Sequence, residues 1–288
     1  MTQRTYEIEA RNRFYSANRS IVEHEIRPGN TVTFLHQIDL TAVERVRSAC
    51  GTSRPSYTAF VAKAVALALR DFPYANRRIW TLPWIPFFGT RLQKFHRCDI
   101  AVACERNVPG VDVATFADVL RDADTASLSD MTFWLRNLAN SDVETNEQWR
   151  SYSRIITSLP LWLSKRLIRL PLWIPKLYCR YRGGAVLISS PAKYGVDVVA
   201  TTWSWPLGVS FGVVKDRPVV KEGQVVPCPT FVLTLNFDRR VMAGAQAAKF
   251  CKRLIDVLEN ADTEMAKYVV TQAGSMAAAT PPPSEART

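Results

Sequence analysis

A charged corner at residues 238–240 is the part of this sequence best placed to do chemistry. A β-rich run ends at Phe237, and an amphipathic pattern with helical spacing begins near Gly244. Strand ends of this kind present side chains to a substrate. The corner carries Arg239, whose guanidinium has only hydrogen-bond donors and no acceptor, so it cannot act as a base at neutral pH.

Histidine is the side chain that titrates near neutral pH, and the sequence has three. His36 falls in an alternating, β-branched stretch that predicts a strand over 30–40, and it is our candidate for an alternative base. A structural role is the other interpretation of a lone histidine on a strand. His24 and His96 are further candidates, and Cys104 as a nucleophile lacks a neighbour in the sequence that would lower its pKa.

The cysteines give no support to a metal site. The six are scattered along the chain, at Cys50, Cys98, Cys104, Cys179, Cys228 and Cys251. Without a C-x-x-C pair or an adjacent histidine cluster, they predict free or buried thiols and no bound metal. No signal peptide and no apolar run of about 18 residues is recognisable, so we expect a cytoplasmic protein.

Length and composition predict one globular domain over residues 1–270. The chain has 288 residues, of which 47% are hydrophobic and 22% charged. The last residues, 271–288, are small, polar and rich in proline, which predicts a disordered tail. The net charge of +11 favours anionic partners. No nucleic-acid-binding motif accompanies it, so we expect no nucleic-acid partner.

Strand and helix patterns alternate irregularly along the chain. A strand over 30–40 is followed by a helix that Thr41 could cap, and Ser56 could cap a second, deeply buried helix. Residues 114–140 are interpreted as helical in two pieces. Glu222 and Gly223 predict a hairpin tip between late strands. Together these elements favour an α+β fold, and no glycine-rich nucleotide loop is present.

Five segments resemble, in order, the catalytic domain of the dihydrolipoyl acyltransferases of 2-oxoacid dehydrogenase complexes. They are SYTAFVAKAVALALRDFPYANRR, DIAVACE, GGAVLISSPAKYGVD, GVVKDRPVVKEGQVV and LTLNFDRRVMAGAQAAKFCKRLIDVLEN. The resemblance covers roughly residues 30–260. It implies a chloramphenicol acetyltransferase-like fold, an α+β mixed-sheet sandwich with flanking helices.

The resemblance also implies a reaction. Members of this family are trimers that transfer an acyl group between a lipoyl thiol and coenzyme A, at a site between two subunits. Their H-x-x-x-D-G signature supplies a neutral imidazole that takes the thiol proton, and a serine stabilises the oxyanion. For this chain it implies coenzyme A or acyl-CoA as the cofactor, with no metal. We expect no lipoyl domain here, because the core-like sequence begins almost at once.

The signature is incomplete in this sequence. Five positions match the family pattern, namely Asp238, Arg240, Val241, Gly244 and Ala245. The glycine is expected to let the backbone pack tightly. The oxyanion serine falls on Ser189, but the base position holds Arg239 and the position of the supporting aspartate holds Ala243. Arg239 could instead bind a carboxylate or phosphate, or could pair structurally with an acidic neighbour.

Two further regions have open interpretations. Lys193 and Asp197 follow Ser189 and either reach the site or form a solvated pair. Residues 143–182 form an insert rich in Leu, Trp, Lys and Arg, with an amphipathic segment at 161–170. Its tryptophans, interleaved with basic residues, suit packing over the chain's own core, a protein partner, or a membrane surface bound through 159–182.

These observations favour a protein of the acyltransferase fold that has lost histidine-based acyl transfer and acts by binding or assembly. The expected partners are further copies in a homotrimer, or a related acyltransferase in a mixed assembly. The first alternative is an active coenzyme A-dependent acyltransferase with a relocated base such as His36. The second is a peripheral membrane protein that binds through residues 159–182.

Overall fold

The computed structural model describes most of the chain between residues 30 and 269. The described residues are 30–51, 54–82, 84–85, 90–108, 111–200, 202 and 204–269, with positions 13, 14, 17, 20, 21 and 23 before them. The predicted tail 271–288 and the candidate base His24 lie outside the described residues.

One mixed sheet organises the described residues. The strands are β1 (Thr31–Asp39), β2 (Arg77–Trp80), β3 (Arg91–Lys94), β4 (Ile100–Val108), β5 (Val111–Leu120), β6 (Val186–Ser189), β7 (Leu207–Phe211), β8 (Lys215–Lys221) and β9 (Gln224–Asp238). The main sheet has the order β1-β9-β7-β6-β4-β5, with β8 paired to β9, while β2 and β3 form a separate hairpin. Because β6 runs parallel to β4 and β7 and the other pairs are antiparallel, the sheet is mixed.

Helices pack around this sheet. They are α1 (Thr41–Ala49), α2 (Tyr57–Asp71), α3 (Leu128–Asn140), α4 (Glu147–Ser158), α5 (Leu161–Trp173), α6 (Pro175–Arg182), α7 (Gly244–Glu259) and α8 (Ala261–Glu264). Helix α2 is buried continuously from Ala59 to Leu69, as its apolar sequence predicts, and it packs against α7. The α+β mixed-sheet fold with flanking helices is confirmed.

Local capping explains where several helices begin. The Ser56 hydroxyl accepts a hydrogen bond from the Ala59 N–H at 3.2 Å, so the predicted cap of α2 is confirmed. The prediction that Thr41 caps α1 is wrong. Thr41 lies inside the first turn of α1, and its hydroxyl donates to the Asp39 carboxylate at 2.5 Å.

The helical interpretation of residues 114–140 is wrong in its first half. Residues 111–120 form β5, which pairs antiparallel with β4, and only the second piece is the helix α3. Ala114 and Phe116 are buried while Val113 is 45% exposed, so the side chains alternate as in a half-buried strand. The long ladder with β4 therefore outweighs the local preference.

The insert at 143–182 folds back over the chain's own structure. Its helices α4, α5 and α6 carry Trp149 into the core at 1% exposure, where the indole N–H donates to the Ala117 carbonyl at 3.1 Å. The Trp80 indole donates to the Trp173 carbonyl at 2.9 Å, which joins the end of α5 to β2. Of the insert's three tryptophans, Trp162 alone is largely exposed, at 64%.

Candidate functional site

The charged corner follows directly from the end of β9. The Asp238 N–H donates to the Pro206 carbonyl at 3.0 Å, and the Arg239 N–H donates to the Asn30 carbonyl at 2.8 Å. The Asp238 carboxylate pairs with the Arg240 guanidinium at 2.5 Å. These contacts hold the backbone on both sides of position 239, so the corner presents that side chain in a defined place.

The far side of the corner is anchored in the core. Val241 and Met242 are buried. The Arg77 guanidinium on β2 donates to the Val241 carbonyl from both Nε and Nη2, at 3.1 and 2.6 Å. A bidentate contact of this kind also fixes orientation, so β2 supports the corner from beneath.

Arg239 itself points to solvent. Its side chain is exposed, and none of the described residues accepts a hydrogen bond or ion pair from its guanidinium. The interpretation of Arg239 as a structural partner of an acidic neighbour is therefore not supported, since Asp238 pairs with Arg240 instead. Within the described part of the chain, the position presents a free cation where a base would be needed.

Position 243 has a structural role as well as a place in the signature. Ala243 is the N-cap residue of α7, and its N–H donates to the Gln246 side-chain oxygen at 3.1 Å. Alanine has no side-chain acceptor, so the reciprocal half of a capping box is missing here. Aspartate is among the preferred N-cap residues, so its replacement by alanine removes a cap as well as a charge.

Gly244 makes no close contact among the described residues. A Cβ atom built at Gly244 meets no described atom within 4 Å, and its φ angle is not in the left-handed region. The described residues show no close backbone packing at Gly244, and its neighbours Ala243 and Ala245 are exposed. The expected packing role of this glycine stays a prediction.

Ser189 lies in a cleft of about 700 Å³, which we call the Ser189 cleft. The residue ends β6, is half-buried, and stands in register with Ser210 on β7. The cleft is bounded by β4, by Thr115 of β5, by α3 and by the start of α2. Its volume is within the range of small-molecule sites, which makes it a concave candidate site among the described residues.

Cationic side chains surround this cleft. Arg54 and Arg136 line it and are exposed, and neither guanidinium has an acceptor among the described residues. Arg106 also lines it, but it donates to backbone carbonyls at the end of α3. Nothing in the sequence singled out Arg54 or Arg136, since they are two of 37 basic residues and lie 82 positions apart.

Lys193 reaches the cleft and Asp197 does not. Lys193 lines the cleft and pairs with Glu105 at 2.8 Å, and this contact lowers the pKa of the Glu105 carboxyl. Asp197 instead pairs with Lys215 at 2.5 Å and with Arg217 at 2.9 Å, both on β8. The Lys193–Glu105 pair is neutral overall, so it does not offset the positive charge of the two arginines.

Cys104 lines the same cleft, yet its chemistry is unfavourable for a nucleophile. Burial is the largest cause that raises the pKa of its thiol, to about 11. The thiol therefore stays protonated near neutral pH, and the thiolate is the nucleophilic form. The candidate role of Cys104 as a nucleophile gains no support from this setting.

Ser189 and Arg239 lie far apart in one chain. The register places Ser189 level with Ser210 and Thr234, whereas Arg239 lies five residues further along β9 and two strands away. With strand rises of about 3.4 Å and strand spacings of about 4.8 Å, the two backbones are roughly 20 Å apart. A single copy therefore does not bring these two positions together.

The two described histidines, His36 and His96, also lie outside the Ser189 cleft. His36 is exposed on β1, opposite Leu233 of β9, and β1 is three strands from β6. His96 is exposed in the loop after β3. None of the described residues lining the cleft is a histidine, so neither His36 nor His96 stands beside Ser189 within one copy.

The described residues offer neither a metal site nor a membrane span. No group of three or more His, Cys, Asp or Glu side chains in this part of the chain is placed to hold a metal ion. Over the same residues, every helix is too short or too polar to cross a membrane.

Comparison with known proteins shows which proteins this chain resembles. Residues 180–266 match the family model described as 2-oxoacid dehydrogenases acyltransferase (catalytic domain), a range that includes both Ser189 and the corner. Over 242 residues the chain is 27% identical to the lipoamide acyltransferase component of the branched-chain alpha-keto acid dehydrogenase complex of Pseudomonas putida, covering 79% of this chain and 46% of that protein. The resemblance to the 2-oxoacid dehydrogenase acyltransferases is confirmed.

Solved acyltransferase structures have the same fold. The cubic core of the pyruvate dehydrogenase multienzyme complex has a TM-score of 0.64 at 22% identity, covering 89% of this chain and 93% of that one. The dihydrolipoamide acetyltransferase of Azotobacter vinelandii has a TM-score of 0.62 at 20% identity, covering 88% and 93%. The matches to curated relatives span less than half the length of those proteins.

Proposed function

We propose that this protein has the acyltransferase fold without histidine-based acyl transfer, and that it acts by binding or assembly. The observation that carries the proposal is the exposed guanidinium of Arg239, which has no partner among the described residues and lies at the corner where the family places its base. Arginine keeps its proton at neutral pH, so a thiol delivered to this corner would find no acceptor for its own proton.

The acetyltransferase of Azotobacter vinelandii supports the assignment of these positions. Crystallographic and enzymatic work on that enzyme addressed one serine, one histidine and one asparagine in its catalytic mechanism, the last two being four positions apart. Arg239 and Ala243 have the same spacing here, and Ser189 is the candidate for the serine. Two of the three side-chain types are therefore absent from the corresponding places.

Assembly is the second part of the proposal. Because Ser189 and Arg239 are roughly 20 Å apart in one chain, a site containing both requires two copies or a related acyltransferase. Val220 and Val225 face each other across the β8–β9 hairpin and are each 70% exposed, which leaves an apolar patch for a neighbour. We propose a homotrimer or a mixed assembly, located in the cytoplasm.

The decisive experiment restores the missing groups. The double variant Arg239→His with Ala243→Asp is assayed with acetyl-CoA and dihydrolipoamide, beside the wild type. We expect no turnover above background for the wild type and measurable turnover for the variant, since an imidazole removes the barrier to thiol deprotonation. Adding Ser189→Ala to the active variant should reduce turnover by about a hundredfold, the usual effect of one lost oxyanion donor.

Two outcomes separate loss of chemistry from loss of the whole site. Wild-type turnover that falls on Ser189→Ala would reject the proposal. A double variant that stays inactive while folded would mean that the binding channel, and not only the base, differs from that of active relatives.

An active coenzyme A-dependent acyltransferase with a relocated base is the first alternative. The half-buried Ser189 in a concave site favours it, because an oxyanion donor and proximity supply part of the rate enhancement without a base. His36 would have to reach this site from another copy, since it lies three strands from β6 in its own. Turnover that survives His36→Ala unchanged excludes this histidine.

Membrane binding through residues 159–182 is the second alternative. The specific observation is that Trp162 is 64% exposed on α5, one turn from the exposed Arg166. The burial of Trp149 removes part of the aromatic surface that the sequence indicated. Flotation with vesicles of neutral and of acidic phospholipids tests it, and Trp162→Ala should abolish any binding to the acidic ones.

A further inference from the structure

The Ser189 cleft combines two kinds of surface. Its interior includes apolar side chains from three elements, namely Val102 of β4, Leu135 and Leu138 of α3, and Ile188 of β6. Its margin includes the cations Arg54 and Arg136. A site with an apolar body and a few placed charges is the usual form of a small-molecule site.

The guanidinium groups of Arg54 and Arg136 form no hydrogen bond or ion pair with any described residue. Arg106 and Lys193 line the same cleft, but the first caps α3 and the second pairs with Glu105. Arg54 and Arg136 have no such partner among the described residues. A guanidinium is suited to carboxylate and phosphate because its donors match two oxygens at once.

Helix α2 adds to the positive field at the same place. It has 15 residues, and both its N-cap, Ser56, and its second residue, Thr58, line the cleft. The N-terminus of a helix carries a partial positive charge from its aligned peptide dipoles. The cleft therefore offers an anion two side-chain cations and a helix end, with one neutralised carboxylate nearby.

We propose that the Ser189 cleft binds an organic anion with an apolar segment. Its carboxylate or phosphate contacts Arg54 and Arg136, and its apolar part lies against Val102 and Leu135. This rests on the proposed function, since it names the class of molecule that a binding protein of this fold would hold.

Calorimetry with three probes of equal chain length tests the proposal. Hexanoate, hexyl phosphate and hexanamide are titrated into the wild type, with the two anions distinguishing a carboxylate from a phosphate ligand. We expect at least one anion to bind, the neutral amide to bind at least tenfold more weakly, and the affinity to fall with added salt.

A matched pair of variants assigns the binding to the cleft. Arg54→Gln with Arg136→Gln should weaken the anion at least tenfold. The control, Arg154→Gln with Lys249→Gln, removes the same net charge from exposed positions outside the cleft and should bind as the wild type does. Thermal unfolding of both variants verifies that they are folded.

Three results would overturn the inference. They are a wild type that binds neither anion, an amide that binds as well as the anions, and a cleft variant that binds as well as its control. All three are independent of turnover, so they are distinguishable from failure of the proposed function. A wild type with acyl-transfer activity would reject the proposed function, and the dependence of anion binding on Arg54 and Arg136 would still be measured.

Discussion

At position 239 the type of side chain decides which chemistry the corner can perform. The backbone N–H groups of positions 238 and 239 donate to the carbonyls of Pro206 and Asn30, so the place of the side chain is kept, while a guanidinium cannot accept a proton there. One further residue, Ala243, removes the carboxylate that would cap α7. Under the proposed function, two side chains alter the reaction without requiring any change in the fold.

Lys63 is a second residue whose protonation is set by its surroundings. It is fully buried on α2, and its ammonium donates to the carbonyls of Ala123 and Asp124 at 2.6 and 3.1 Å, and to that of Ala126. Burial is the largest cause that lowers its pKa from 10.5 to about 8. Between these values the unfolded chain binds more protons than the folded chain, so the stability due to Lys63 rises with pH.

This predicts a pH-dependent difference between the wild type and Lys63→Met. From near pH 8 upward, the free energy of unfolding of the wild type should rise relative to the variant by at most about 1.4 kcal/mol per pH unit. Urea unfolding of both proteins near neutral pH and near pH 9 measures this difference in the free energy of unfolding. Titration of the cysteines affects both proteins equally, so it cancels in the difference. A difference that stays constant over this window would contradict the lowered pKa.

At the scale of the elements, two glycines that look alike in sequence have opposite structural importance. A Cβ atom on Gly212 would lie 1.8 Å from the carbonyl oxygen of Asp197, so two backbone segments touch there. A Cβ atom on Gly244 would meet no described atom within 4 Å. The first glycine is required by a close backbone approach, and the described residues show no such approach at the second.

Alanine substitutions test this contrast. Gly212→Ala should lower the free energy of unfolding by about 3 kcal/mol or more, because backbone atoms on both sides must move apart. Gly244→Ala, its matched control, should change it by about 0.5 kcal/mol at most, since alanine is a good helix residue. Equal effects of the two substitutions in denaturant melts would show that the contact at Asp197 is not tight.

The elements also show which parts of the fold the sequence could predict. Helix α2 was predictable because its cap, Ser56, and its apolar run agree with each other. Strand β5 was not predictable from its own sequence. Its hydrogen bonds are made with the nine-residue strand β4, and the local pattern does not indicate that pairing. The agreement between cap and apolar run was sufficient to predict helix α2, whereas the conformation of β5 depends on its pairing with β4.

At the scale of the whole molecule, the candidate site was only partly predictable. Ser189 and Arg239 were found through the resemblance, which supplies spacing and residue types. Arg54 and Arg136 were not found from the sequence, because they line the same cleft only once α2 and α3 pack on the sheet. The separation between Ser189 and Arg239 depends on strand register, which no single segment encodes.

The exposed hairpin predicts assembly in solution. Light scattering of the purified protein should give a mass near three times the 32.5 kDa chain. Val220→Lys with Val225→Lys should shift it toward one copy, because two charges are placed on the apolar patch. Ile85→Lys with Leu92→Lys, equally charged and also on exposed apolar positions, is the control. A hairpin variant that keeps the wild-type mass would exclude this patch as the contact.

The opposite placement of Ser189 and Arg239 on one sheet has a consequence for mixed populations. In an assembly where each site joins the serine end of one copy to the arginine end of another, every copy takes part in two sites. A copy altered at one end then disturbs only the site to which that end belongs, and its other end still completes a neighbour's site. Defects at the two ends should therefore complement each other when the two kinds of chain are combined, and a defect at one end alone should reduce the number of intact sites in proportion to the altered copies.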